Sequence, residues 1–303
     1  MTFSFANLCA TFACLCGCLD KFSMQLQRTQ RFAKGRRKGI TGAVCLVLLF
    51  SIAANAQDTL TTRYGIYIHD NLNFHAANFQ QLPGVPNCCP RFETGFGSGI
   101  GAGAMIELPL NHATLFSIRA SLHSMSGVLS AVETTTVIIN NAPQAGEFTH
   151  TVDASIMSLG IEPLVSFRLL HGLFVSAGAE GAFVVTKSYS QQEQITKPDG
   201  VGTFVDAQGN DTHSRTRNAV SGSIPTAASF VASLVGGISY EVPMNSTGTL
   251  IGAVEGFYHY PLGYFSKDLF WKVSSVSVGI AVKYCPRNVG SEGNAAPGGK
   301  ATR

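Results

Sequence analysis

Ser275-Val276-Ser277-Val278-Gly279-Ile280-Ala281-Val282-Lys283-Tyr284 decides the reading of this chain. Val276, Val278, Ile280, Val282 and Tyr284 fall on one side of an extended strand. Ser275, Ser277, Gly279, Ala281 and Lys283 fall on the other, because successive side chains of a strand alternate. Ten residues is the length of a tilted strand that crosses a bilayer, where about 9–11 are needed. The same pattern recurs upstream. Tyr64, Ile66, Ile68, Leu72 and Phe74 oppose Arg63, Gly65, Tyr67, His69, Asn71 and Asn73. Phe96, Ile100, Ala102, Ala104, Ile106 and Leu108 oppose a glycine row, Gly97 to Gly103, that ends in Met105 and Glu107. Further stretches lie at 116–123, 157–162, 175–185, 229–242 and, more weakly, 250–260. Eight stretches emerge, an even number.

Alternation alone fits either a soluble sandwich or a membrane barrel with apolar side chains outward. The connections decide. Residues 109–113, 169–172 and 243–248 are short, whereas 75–95, 124–153, 188–226 and 261–270 are longer. Alternating short and long connections are the pattern of outer-membrane barrels, with tight turns on the periplasmic side and loops outside. A Greek-key sandwich has no reason to keep that order. Proline follows closely on glutamate at Glu107–Pro109, Glu162-Pro163 and Glu241–Pro243, and proline belongs at strand ends because it lacks a ladder donor. Aromatic residues cluster near the expected outer end (Tyr258, Tyr260, Tyr264, Phe265, Phe270, Trp271) and inner end (Tyr64, Phe116, Phe167, Tyr240, Tyr284). They are read as interfacial girdles.

Composition agrees. Charged residues make up 13% of the 303 and hydrophobic ones 45%, which excludes disorder. Residues 1–56 hold 7 of the 21 Lys/Arg and 1 of the 18 Asp/Glu. The remainder, with 14 basic and 17 acidic residues, carries a net of −3. No basic surface points to nucleic acid. A basic block from Arg28 to Lys38, an apolar run Ile40–Ala53 and Ala54-Asn55-Ala56 read as a cleavable signal peptide, with cleavage between Ala56 and Gln57. Arg36-Arg37 leaves a twin-arginine route as the alternative to general secretion. Translation is expected to start near Met24; a membrane-associated hairpin over the first residues is the alternative. The expected organisation is thus 1–56 extension and signal peptide, 57–285 barrel, and 286–303 periplasmic tail.

The glycine-rich Gly97–Gly103 strand with Glu107-Leu108-Pro109-Leu110, the Gly236–Pro243 strand and the closing Val276–Tyr284 strand resemble the outer-membrane β-barrel domain family, the small OmpA/OmpX-like and porin-family barrels. The resemblance covers roughly residues 60–285. It implies an all-β, eight-stranded antiparallel up-and-down transmembrane barrel in the bacterial outer membrane. The partners it implies are outer-membrane lipid and the barrel assembly machinery. Tyr284 takes the place of the family's terminal aromatic, but Cys285 to Arg303 follow it.

Period two sends Arg63, His69, Glu107, Arg119, His123, Glu162, Glu180, Glu241, Glu255, His259 and Lys283 inward. Buried carboxylates need partners. Arg63, Glu107, Glu162, Glu241 and Lys283 are expected to form an ion network at the inner end, with Arg119 reaching Glu180 or Glu255. The network is read as a plug that makes the chain a structural or surface-interaction protein, with a narrow pore for small solutes as the alternative. A lipid-directed hydrolase using His69, His123 or His259 with Ser121 or Ser124 is the third reading, but no nucleophile motif supports it. No cofactor or metal is expected, since no ligand spacing such as C-x-x-C is present. Cys88-Cys89 could form a vicinal disulfide. The long outer loops are candidates for an extracellular ligand.

Overall fold

The computed structural model describes residues 61–85, 90–139 and 142–286. The signal peptide, the start at Met24, Cys88-Cys89 and the tail beyond 286 lie outside the described residues. Ten antiparallel strands and no helix are found among the described residues: β1 Arg63–Phe79, β2 Phe92–Pro109, β3 Thr114–Ser124, β4 Gly127–Ile139, β5 Ala142–Leu170, β6 Leu173–Lys197, β7 Thr216–Ser223, β8 Phe230–Pro243, β9 Leu250–Pro261 and β10 Phe270–Tyr284.

Eight of them pair in a closed circuit. β1 pairs with β2, β2 with β3, β3 with β5, β5 with β6, β6 with β8, β8 with β9, β9 with β10, and β10 returns to β1. Closure removes the free edges that a sheet would otherwise present. The first and last strands meet in full register, from Tyr64 opposite Tyr284 to Asn78 opposite Phe270.

The two further strands fall where the sequence reads loops. β4 continues β3 past a break at Met125-Ser126, since both pair with β2 and β5. The break is held by Ser126, whose hydroxyl accepts from Ile156 N at 3.0 Å, and by Asn73 Nδ2, which donates to Ser124 O and Ser126 O. β7 likewise pairs with β6 beyond the start of β8. The expected loop 124–153 is therefore largely strand, and the expected loop 188–226 is strand over 188–197 and Thr216–Ser223. β5 has 29 residues and β6 has 25, well over the 9–11 or so that a bilayer crossing needs. Their far halves stand beyond the rim as a sheet in the order β4-β5-β6-β7. Sequence reasoning missed this because Thr134–Thr136 and Ser188–Gln194 are polar on both faces and so show no hydropathy contrast of period two, although Tyr189, Gln191 and Glu193 are buried on one face.

The turns on the opposite side are tight. His171-Gly172 joins β5 to β6, and Gly172, with φ +77°, takes the left-handed conformation that such a turn demands. Pro163 departs from expectation: it lies within β5, which runs on to Leu170, rather than at a strand end. Its missing donor is accommodated because the β5–β6 ladder skips Glu162 and Pro163, resuming from Ile161–Gly181 at Leu164–Gly178.

Burial inverts that of a soluble domain. Ile66, Ile100, Leu159, Phe183, Leu234, Val254 and Ile280 are exposed, while the charged Glu107, Arg119, Glu162, Glu180, Glu255 and Lys283 are buried. The glycine row of β2 explains how a narrow ring holds large inward side chains. A Cβ on Gly103 would lie 2.5 Å from Tyr67 Oη and would also strike the Ala120 carbonyl, so only glycine lets Tyr67 cross the interior.

Candidate functional site

The inward side chains stack in layers. At the end of the short turns, Lys283 Nζ donates to Glu107 Oε1 and Glu241 Oε1, both at 2.7 Å. Arg63 Nη1 donates to Glu241 Oε2 at 3.0 Å and lies 3.7 Å from Glu107 Oε2. Four side chains from β1, β2, β8 and β10 thus span the mouth. Glu162, expected here, sits one layer further in.

Glu255 links this layer to the next. Its Oε1 is 3.7 Å from Lys283 Nζ, and its Oε2 accepts from Arg119 Nη2 at 3.0 Å and faces His69 Nε2 at 3.3 Å. Arg119 therefore reaches Glu255, one of its two expected partners, with Glu162 Oε2 at 3.9 Å from its Nε. The guanidinium lies between rings, 3.9 Å from the centroid of Tyr67 and 4.6 Å from that of Phe257, an arrangement that favours a cation over the ring faces. Phe257 was missed from sequence, although it shares the parity of Glu255 and His259.

Deeper still, His259 Nδ1 is 3.2 Å from Glu180 Oε2, and Ser121 Oγ donates to Glu180 Oε1 at 3.4 Å. His123 packs edge-on to His259 with centroids 4.9 Å apart, and its Nε2 is 3.1 Å from Ser275 Oγ. Between this layer and that of Glu255, Ser277 Oγ donates to Asn71 Oδ1 at 2.7 Å.

The outer end is closed differently. Phe79, Leu82, Phe92, Leu129, Val152, Ile156, Tyr189, Ile224, Phe265 and Trp271 form one buried apolar cluster. Trp271 Nε1 donates to His75 Nδ1 at 3.0 Å, which satisfies the polar end of a wholly buried ring. Phe265 and Trp271 are thus cap residues, not girdle residues. The parity of Trp271 with Val273, Ser275 and Ser277 was the signal that could have placed them.

The projecting sheet carries its own ion pairs. Arg217 clamps the buried Glu193 with bonds of 2.9 and 2.6 Å and lies over the Phe204 ring at 4.3 Å. Lys197 Nζ donates to Glu147 Oε2 at 2.7 Å. That bond holds the Glu147 carboxyl below its ordinary value and raises Lys197. Cys285 is a free thiol at the end of β10.

No family model and no curated protein matches the chain. Among solved structures, Ail, the attachment invasion locus protein of Yersinia pestis, aligns over 74% of this chain and 100% of its own at 8% identity, with a TM-score of 0.31. Neisserial surface protein A aligns over 74% and 97% at 10% identity and 0.32. A Pseudomonas aeruginosa FadL homologue aligns over 77% and 92% at 8% identity and 0.20. At these values the likenesses carry no argument about role, and the reading that follows stands on the chain's own geometry.

Proposed function

We propose that this chain is a bacterial outer-membrane barrel of eight staves whose interior is sealed. Its work is done by the sheet that projects beyond the outer rim. The observation that carries the reading is the inversion of burial in a closed ring. Soluble proteins rarely expose apolar patches beyond a few hundred Å², and a belt of Ile, Leu, Val and Phe right round the ring has a natural solvent only in lipid. Outer-membrane lipid is then the barrel's first partner, and the barrel assembly machinery its route of insertion.

The interior supports a plug over a pore. An ionic layer spans one mouth, an aromatic cap fills the other, and the space between is occupied by Tyr67, Phe257, Arg119 and the histidines. A substrate for the hydrolase reading would have to pass one of these barriers. The role left is structural or adhesive. It is carried by β4–β7 and their connections, with an extracellular ligand as the expected contact.

The test is the behaviour of the protein after extraction. A closed membrane barrel needs detergent to stay in solution and migrates faster in detergent gels unheated than boiled. In planar bilayers it should give no conductance steps. A protein soluble without detergent and unshifted on boiling would overturn the membrane reading. Regular steps from the unaltered protein would overturn the plug alone.

A further inference from the structure

We propose that His123, Glu180 and His259 form a binding site for a divalent transition metal, zinc-like in its preferences, inside the barrel. The three residues come from β3, β6 and β9. All are buried, and each offers one ligand atom such that the three atoms lie within 4.8 Å of one another. Two imidazoles and one carboxylate are the donor set of open, three-ligand zinc sites. With bonds of about 2.0–2.1 Å, tetrahedral ligand atoms stand about 3.3 Å apart. The His259 Nδ1–Glu180 Oε2 edge, at 3.2 Å, already has that length. Only His123 must swing inward, by roughly an ångström on the same geometry.

Two further observations point to a cation here. Below the apolar cap, the interior holds four buried carboxylates (Glu107, Glu162, Glu180, Glu255) and the partly buried Glu241 against two buried cations (Arg119, Lys283) and the partly buried Arg63, an excess of two negative charges. Arg168, over Phe174 at the inner mouth, is exposed. Four of the carboxylates have an arginine or lysine within ion-pair distance. Glu180 has His259 as its one ion-pair partner among the described residues. A divalent ion beside Glu180 supplies the missing charge where it is missing. The surroundings also suit ligation: Ser121 Oγ contacts the carboxylate and Ser275 Oγ contacts the His123 ring, hydroxyls of the kind that orient ligands from behind or fill a fourth position.

The site lies between two closed ends, so an ion enters as the strands assemble. The experiment refolds the full mature chain from denaturant into detergent with Zn²⁺, with Co²⁺ or with a chelator. Folding is scored by heat-modifiable mobility and metal by elemental analysis after gel filtration. The expected result is one equivalent of Zn²⁺ retained through later chelator treatment, and visible absorption of a tetrahedral Co²⁺ centre in the cobalt sample. His259→Gln and Glu180→Gln should each lose the retained metal, while a variant of the exposed His213 keeps it. Unaltered protein that folds and retains no metal, or a His123→Gln/His259→Gln double variant that folds and retains it all, overturns the site. Should the variants not fold, the cobalt spectrum of the unaltered chain decides alone. The proposal depends on the closed ring and not on where the ring resides, so a soluble, metal-loaded protein would sink the membrane reading and leave this one standing.

Discussion

The two ends of the interior are closed by opposite chemistry. At the inner mouth Lys283, Arg63, Glu107 and Glu241 hold one another by charge. At the outer end Trp271, Phe79, Phe92 and Phe265 hold one another by packing. The ionic end gains little net stability, because the cost of taking charges out of water offsets most of their attraction. It is, however, intolerant of losing one member. The apolar end is the reverse: each side chain contributes directly by burial, and a deletion costs roughly the lost volume. The difference teaches what each end can do. An ionic layer fixes which strands meet, since a slipped register strands a charge, whereas an aromatic cap excludes water without specifying partners.

The largest effect should come from Lys283→Ala. It leaves Glu107 and Glu241 facing each other with Arg63 alone to balance them, and breaking a buried pair costs about 3–5 kcal/mol. The urea midpoint of the refolded barrel should fall accordingly, while the aromatic cap at the other end keeps the variant free of conductance steps. Replacing the set together, as Lys283→Met and Arg63→Met with Glu107→Gln and Glu241→Gln, should restore most of the loss. If the quadruple variant is as unstable as the single one, the inner layer holds by some means other than charge balance.

Trp271→Ala should come next, at about 3 kcal/mol, the low end for a buried aromatic. Its neighbours Phe79 and Phe265 can close part of the space. Salt should not separate the two ends: neither midpoint should move much, because both layers are largely buried and the Debye length governs exposed charges. Ile156→Val tests the graded nature of the cap. Loss of one methylene from this buried position should cost about 1 kcal/mol and produce no conductance. Conductance steps from Ile156→Val would make the cap, not the ionic layer, the true gate.

The same contrast explains what was legible in the sequence. The ionic end could be read in advance, because charges in a period-two stretch point inward by parity alone, and Arg63, Glu107, Glu241 and Lys283 sit within two residues of recognisable strand ends. Glu162 was placed one layer too low, since the Pro163 that follows it suggested a strand end that β5 overrides. The cap was not legible. Most of its members come from segments that the sequence presents as loops, where residues such as Leu129 have no strand parity to place them, although Trp271 shares the parity of Ser275 and Ser277. Period two likewise gave the side of His123, Glu180 and His259 but not their common level. That depends on the stagger between strands far apart in the chain.

The smallest expected effect lies beyond both ends, in the connection between β6 and β7, where the carboxylates Asp206 and Asp211 are exposed. Asp206 accepts from the side chain of Asn210 and from the backbone amides of Asn210 and Gln208, and these bonds hold its carboxyl below the ordinary 3.8. Asp211 is lowered by the Thr203 hydroxyl and by the amide of His213, a residue held at φ +54°. A depressed carboxylate contributes order that is fully present above its unfolded value and is lost as pH falls through the folded one. Acidification from neutrality should therefore leave the turn unchanged until below about 4 and then release it. The amide resonances of Gln208, Asn210 and His213 would shift while those of the barrel staves stay put. These groups are exposed, so the barrel's own midpoint should not register the event. A turn that loosens well above pH 4 instead would show that its order does not rest on the two carboxylates.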